Sequence, residues 1–310
     1  MAAVADVTVA PAEGPLCSVG FVVASRTIAG VLTTLSASGS AAASDFDGLA
    51  AAFASLEQDS GGRLGIALLD VKSDRSASYR ETEHFPLTST FKLLAAAAVL
   101  SIVDAGSTSL YARVVLQESD LVTYSPATKP RVGGDGMSLL ELCEAAITVS
   151  DNTAGNMLLR VLGGPSGFTS YVRTLGDATT RLDRVELELN EALPGDVRDT
   201  TSPQAMLAKL QKLTIGDALK PASRELLVNW LKANKTGNER MRAKLPDGWT
   251  VGDKTGLGER GTMNDVGVIW PPDGVPNLLA IYLTNSGKPI QHRAAVHQEI
   301  GRLVAAAARA

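Results

Sequence analysis

The sequence predicts an α+β fold: an antiparallel sheet formed by both chain ends and flanked by helices, with an inserted all-helical domain. Three observations predict it. One β-prone run lies early, at 63–71, and three short ones, 249–254, 262–270 and 278–285, come late, parted by Gly and Pro. Helical patterns fill the space between them. The 310 residues leave room for about two domains at roughly 150 residues each. The division expected is a sheet-bearing domain from 44–80 and 233–310, and a helical domain from 81–232 that includes a loop at 181–199. A cleft between two such lobes is a natural place for a ligand.

Taken in order, 47–58 reads as an amphipathic helix closed by Gly61-Gly62, and 63–71 is apolar and β-prone enough for a strand. From Thr90 onward Leu93, Leu94, Ala97, Leu100 and Val103 recur at helical spacing until Gly106. Ser138-Leu139-Leu140-Glu141 is a capping box, in which serine and glutamate each satisfy a backbone N–H of the other. It opens the helix that carries Cys143 and Ile147. A further helix spans 153–162, closed by Gly163-Gly164. Ser202-Pro203 reads as an N-cap followed by proline at the first helical position. Helices at 221–232 and 293–308 complete the set.

Composition excludes several function classes. With 29 basic against 33 acidic residues, a net charge of −4 and no basic stripe, no nucleic-acid partner is expected. Only three histidines and two cysteines, Cys17 and Cys143, occur, so neither a zinc module nor a disulfide scaffold is expected, and no metal or other cofactor. The first 44 residues are rich in Ala, Val, Ser and Gly and lack lysine. Within them Arg26 precedes an apolar run at 27–35, and small residues then lead to Ala41-Ala42-Ala43. That is the order of an export signal, although residues 1–25 carry Asp6 and Glu13 and no basic residue. The expectation is a leader over 1–43 cleaved near Ala43, translation starting later than Met1 or the leader being atypical, and a periplasmic or secreted protein. The apolar run is too short to span a membrane, which takes about 20 residues. Cys143, alone on an apolar helix, reads as a small core residue.

Four constellations carry chemistry. In Ser89-Thr90-Phe91-Lys92 at a helix start, residues three apart share a face, so the serine hydroxyl and the lysine amine can touch. A desolvated neutral lysine is a base able to activate that serine. Ser150-Asp151-Asn152 follows a helix and forms a tight turn, offering a second hydroxyl for proton relay and an amide for a substrate carbonyl or amide. Asp151 can brace the turn. Lys254-Thr255-Gly256 ends a strand and offers a cation and a hydroxyl to a carboxylate, with glycine permitting close approach. A second copy, Lys235-Thr236-Gly237, follows a helix and reads as a helix exit with Gly237 as C-cap. Last, Glu186 and Asn190 lie four apart in the loop, bracketed by Arg184 and Asp199, a pair able to clasp it. A carboxylate with a positioned water is a general base for hydrolysis.

In this order, and in the flanking segments Phe85-Pro86-Leu87-Thr88, Leu121-Val122-Thr123-Tyr124-Ser125-Pro126 and 188–196, the sequence resembles the class A serine β-lactamases among the penicillin-recognising serine enzymes. The resemblance runs from about Asp45 to Val304. It implies β-lactam substrates, a monomer and no cofactor. It also implies that Ser89 is acylated while Lys92, or Glu186 through a water, takes its proton. Ser150 would protonate the ring nitrogen, and Glu186 with Asn190 would activate the deacylating water. By the same resemblance Asn152 binds the substrate's side-chain amide, Lys254, Thr255 and Gly256 hold its carboxylate, and Tyr124 walls the cleft. The resemblance also implies that the N–H groups of Ser89 and Leu257 form the oxyanion hole. Arg240 stands at one of two places from which relatives supply a further arginine; Met263 fills the other.

Three positions depart from the family pattern. Leu187 replaces a common proline after Glu186, where relatives often have a cis bond, and suggests a looser or differently built loop. Leu257 stands where small or hydroxyl residues are usual. Ala96 leaves Cys143 without the disulfide partner some relatives carry. The alternatives are a D-Ala-D-Ala carboxypeptidase or transpeptidase, which lacks the deacylating glutamate, and a covalent β-lactam sensor, which needs a membrane span or partner domain. A plain esterase is disfavoured by the absence of a G-x-S-x-G elbow.

Overall fold

The computed structural model describes residues 46–309; the leader expected over 1–43, with Cys17, lies outside the described residues. Helix α1 (Leu49–Ser60) stops at Gly61, whose φ of 60° is left-handed, a conformation glycine adopts without a Cβ penalty. Strand β1 (Arg63–Asp70) follows, then β2 (Arg75–Tyr79). Late in the chain come β3 (Thr250–Leu257), β4 (Met263–Trp270) and β5 (Asn277–Thr284). The five strands form one sheet in the order β2-β1-β5-β4-β3. The two chain ends meet in it: β1 and β5 pair antiparallel along their whole length, from Arg63 opposite Thr284 to Asp70 opposite Asn277. The α+β class expected from the sequence is the class observed.

Between β2 and β3 the chain is not all-helical as expected but mainly so, with two short ladders pairing Phe85-Pro86 with Thr200-Thr201 and Arg113-Val114 with Met137-Ser138. Its helices are α2 (Phe91–Asp104), α3 (Leu139–Thr148), α4 (Asn152–Val161), α5 (Gly164–Thr174), α6 (Pro203–Thr214) and α7 (Pro221–Lys232), and α8 (Ile290–Ala307) closes the fold. All residues from Phe91 to Leu100 on α2 are buried, as befits a helix apolar on every side. Ala95–Ala98 let neighbouring helices approach it closely, and each fully buried Leu contributes about 1.5–3 kcal/mol. One face of the sheet (Val266, Ala280, Tyr282) joins this helical core. The other (Leu64, Ile66, Ile269, Ile281) packs with Phe53 of α1 and Val296 and Ile300 of α8. Cys143 lies in the helical core and forms no disulfide among the described residues; burial pushes its thiol up. Among the described residues no helix is long and apolar enough to cross a membrane.

The structure corrects four element readings. A second early strand, β2, is present; its Arg-Ser-Ala-Ser-Tyr sequence has no large apolar alternation because it is a half-buried edge. Strand β3 runs on through Thr255-Gly256-Leu257, which pair with Asp265, Asn264 and Met263. Gly163 does not simply end a helix: with φ 85° it caps the start of α5, whose proline sits in the first turn. Helix α7 ends on Ala233, with φ −80° and ψ 1°, so Gly237, four residues on, is not its cap.

Candidate active site

Ser89 lies in a 3-10 turn, Thr88–Thr90, immediately before α2. The turn is fixed from both sides. Thr90 donates its hydroxyl to Leu87 O at 2.6 Å, and Asn264 Nδ2 on β4 donates to Pro86 O at 2.8 Å and Thr88 Oγ1 at 3.0 Å. One turn further, Lys92 points back under the serine. It is fully buried, and its path is opened by Gly155 on α4, where a Cβ would stand 2.8 Å from Lys92 Cε.

Four oxygens surround Lys92 Nζ: Ser89 Oγ at 2.9 Å, Ser150 O at 3.0 Å, Asn152 Oδ1 at 2.5 Å and Glu186 Oε1 at 2.8 Å. Ser89 Oγ in turn donates to Glu186 Oε1 at 3.1 Å. An ammonium has only three protons to give. Burial pushes the Lys92 amine below its ordinary range, against the opposing pull of the Glu186 carboxylate.

Ser150 adopts φ 59°, uncommon for a residue with a Cβ, and meets both lysines: its carbonyl accepts from Lys92 and its hydroxyl from Lys254 Nζ at 3.0 Å. Asp151 caps α4 through Ala154 N–H at 2.8 Å and accepts from Ala127 N–H and Thr128 N–H at 2.8 and 2.9 Å. It therefore braces a second loop as well as its own turn. That loop presents Tyr124, half exposed, and Asn152 is tied to it through Thr123 O at 2.9 Å and Tyr124 O at 3.0 Å.

In the loop 181–199 the expected clasp is present: Arg184 Nε donates to Asp199 Oδ2 at 2.6 Å, and the N–H groups of Asp183 and Arg184 donate to Asp199 Oδ1. The looser loop expected from Leu187 is not found. The Glu186–Leu187 peptide is cis, and Asn156 on α4 holds both backbone groups of Glu186, donating to its carbonyl and accepting from its N–H, each at 2.9 Å. Asn190 Nδ2 donates to Glu186 Oε2, and Asn190 O accepts from Glu259 N–H at 3.0 Å.

Lys254 is fully buried on β3. Its amine is pushed far down, chiefly by burial and then by the neighbouring cations Lys92 and Arg240. Arg240 donates to Gly256 O at 2.8 Å and Asn264 O at 2.5 Å. Ser89, Tyr124, Ser150, Asn152, Asn190, Arg240, Thr255 and Leu257 line one cleft of about 410 Å³. Lys92, Glu186, Lys254 and Gly256 lie buried behind them. Every predicted site residue is thus in one place.

Sequence reasoning missed two residues of this site. Asn156 is one of them, although its position four after Asn152 puts both amides on one helix face. Thr236 is the other: it lines the cleft and its hydroxyl meets that of Thr255. The repeated tripeptide was its signal.

A fold with both chain ends in one sheet, and a cleft floored by a serine between a buried lysine and a buried glutamate, defines a serine hydrolase of the penicillin-recognising class. Residues 48–308 match the model of the β-lactamase enzyme family. The chain is similar to the β-lactamase AST-1 of Nocardia asteroides, 49% identical over 253 residues that span 81% of each protein. It is 47% identical to the carbapenem-hydrolysing β-lactamase KPC of Klebsiella oxytoca, over 81% of this chain and 86% of that one. Among solved structures, an ancestral class A β-lactamase matches with a TM-score of 0.82 at 57% identity, covering 84% of this chain and 99% of the other. The chain belongs to the β-lactamase enzyme family, class A.

Proposed function

We propose that this protein is an exported, monomeric enzyme that hydrolyses the β-lactam ring of penicillins and cephalosporins through an acyl-enzyme on Ser89, and so confers β-lactam resistance. The single observation that carries the reading is the triangle of Ser89 Oγ, Lys92 Nζ and Glu186 Oε1, whose sides are 2.9, 2.8 and 3.1 Å. We assign its position to the junction of a sheet lobe (44–80, 233–310) and a helical lobe (81–232).

Ser89 Oγ attacks the lactam carbonyl while its proton passes to Lys92, whose burial favours the neutral amine, or through a water to Glu186. The N–H groups of Ser89 and Leu257 receive the oxyanion. As the ring C–N bond breaks, Ser150 passes its hydroxyl proton to the nitrogen, and Lys254, whose amine donates to that hydroxyl at 3.0 Å, returns one to it. Glu186, steadied by Asn190, then takes a proton from the water that attacks the ester, and Ser89 leaves with its proton restored. Lys254, Thr255 and Arg240 hold the substrate carboxylate, Gly256 lets it approach the strand, Asn152 binds the side-chain amide and Tyr124 forms a wall.

Ser89→Ala should lower hydrolysis of a chromogenic cephalosporin by at least about 10⁴-fold, the scale of losing a catalytic nucleophile; undiminished turnover would contradict the assignment. Export is tested separately. Amino-terminal sequencing of the secreted protein should begin near residue 44, and an intact Met1 would sink the leader.

A further inference from the structure

Behind the carboxylate end of the cleft lies a pair of acids that the catalytic scheme does not use. Asp253 on β3 and Asp265 on β4 are both fully buried. Asp253 is opposite Gly267, and Thr255 is opposite Asp265, so the two carboxyl groups are diagonal neighbours on one face of the ladder. Glycines make the room: a Cβ at Gly237 or at Gly267 would collide with Asp253. One oxygen of each acid is satisfied. Asp253 Oδ1 accepts from Asn234 Nδ2 at 2.9 Å and from Arg242, and Asp265 Oδ2 accepts from Met241 N–H at 3.3 Å. The remaining oxygens, Asp253 Oδ2 and Asp265 Oδ1, have no donor among the described residues. Two ionised carboxylates accept only and cannot satisfy each other, whereas one proton between them makes a hydrogen bond.

We propose that Asp265 is protonated at Oδ1 and donates to Asp253 Oδ2, and that this shared proton leaves Arg240 as an uncompensated cation for the substrate's carboxylate. The inference rests on the reading of Arg240 as a carboxylate-binding residue; Asp265 acts through it, as a positioning residue. The surrounding charges agree. On the loop before β3, Arg242 pairs with Asp253, while Arg240 donates only to backbone carbonyls and, among the described residues, forms no salt bridge. On α8, His297 is pushed down to about 3, chiefly by burial, and is neutral; Arg293 is also pushed down by burial. Burial and the Asp253 charge hold the Asp265 carboxyl well above the ordinary carboxylate range. If Asp265 were ionised, Arg240 would already have a counterion inside the protein.

The sign of the pH dependence follows. A group with a raised pKa keeps its proton until pH climbs through that value; beyond it a second negative charge faces Arg240, and an anionic β-lactam binds more weakly. In Asp265→Asn the amide N–H takes the place of the acid proton and cannot ionise. The test is KM and kcat for a penicillin from neutral to alkaline pH in the parent and Asp265→Asn. The parent's KM should rise about 10- to 20-fold more than the variant's, the size of one unit charge about 10 Å away at an effective dielectric constant of about 20. The kcat values should run in parallel, because Lys92 and Lys254 titrate in both. Parallel KM curves would overturn the proposal. If the variant does not fold, infrared spectroscopy of the parent labelled with ¹³C-aspartate decides: a carboxylic-acid band at neutral pH is expected, and its absence overturns the shared proton. A parent that shows the band but hydrolyses no β-lactam would overturn the functional reading instead.

Discussion

Lys235-Thr236-Gly237 and Lys254-Thr255-Gly256 are the same three residues in the same order, yet they do different things. Lys254 is buried on an edge strand and donates to Ser150 Oγ at 3.0 Å; Lys235 is exposed, its backbone N–H donating to Thr148 O at 2.8 Å. The threonines meet hydroxyl to hydroxyl at the cleft. The glycines admit different neighbours: a Cβ at Gly256 would strike Thr88 of the serine turn, and one at Gly237 would strike Asp253. Side-chain chemistry is identical, so the difference comes from backbone. At the end of an edge strand, residues from both faces border the cleft. Of the copy in the loop after α7, only the threonine reaches it.

Substitutions can break or sharpen this contrast. The largest effect is expected at Lys254→Ala, where loss of the buried donor should lower kcat/KM for a penicillin by about 100- to 1,000-fold; a loss under tenfold would mean that the strand copy is not the working one. An intermediate effect is expected at Gly237→Ala, which inserts a methyl against Asp253. Overpacking of this kind costs about 1–3 kcal/mol, measurable as a lowered denaturation midpoint, and unchanged stability would remove the packing role given to this glycine. The smallest is Lys235→Ala. Exposed substitutions away from such features change stability by about 0.5 kcal/mol or less, and both stability and kcat/KM should stay near the parent's.

The same contrast shows what was legible in advance. The working tripeptide was recognisable because a β-prone run precedes it, and the Arg184–Asp199 clasp because opposite charges bracket a loop without periodicity. Thr236 was not, since its role depends on a register between β3 and a distant loop that no local pattern encodes. Asp265 was hidden for a similar reason: it reads as one acid in an apolar strand, and its meaning appears only when Asp253 lies diagonally across the ladder. Strand β2 escaped notice because an edge strand need not alternate, and α5 because its Gly-Gly start looks like a stop. The loop around Leu187 shows the opposite error. One residue's departure suggested looseness, but Asn156 holds the Glu186 backbone from another element.

The central claim is that Glu186 serves the second half of the reaction, releasing an acyl group that Ser89 has accepted. Intact-mass measurement of Glu186→Ala mixed with a penicillin tests it most directly. A long-lived species heavier than the protein by one whole substrate molecule is expected, absent when Ser89 is also replaced by alanine. A Glu186→Ala protein that turns the penicillin over as fast as the parent, with no such adduct, would contradict it.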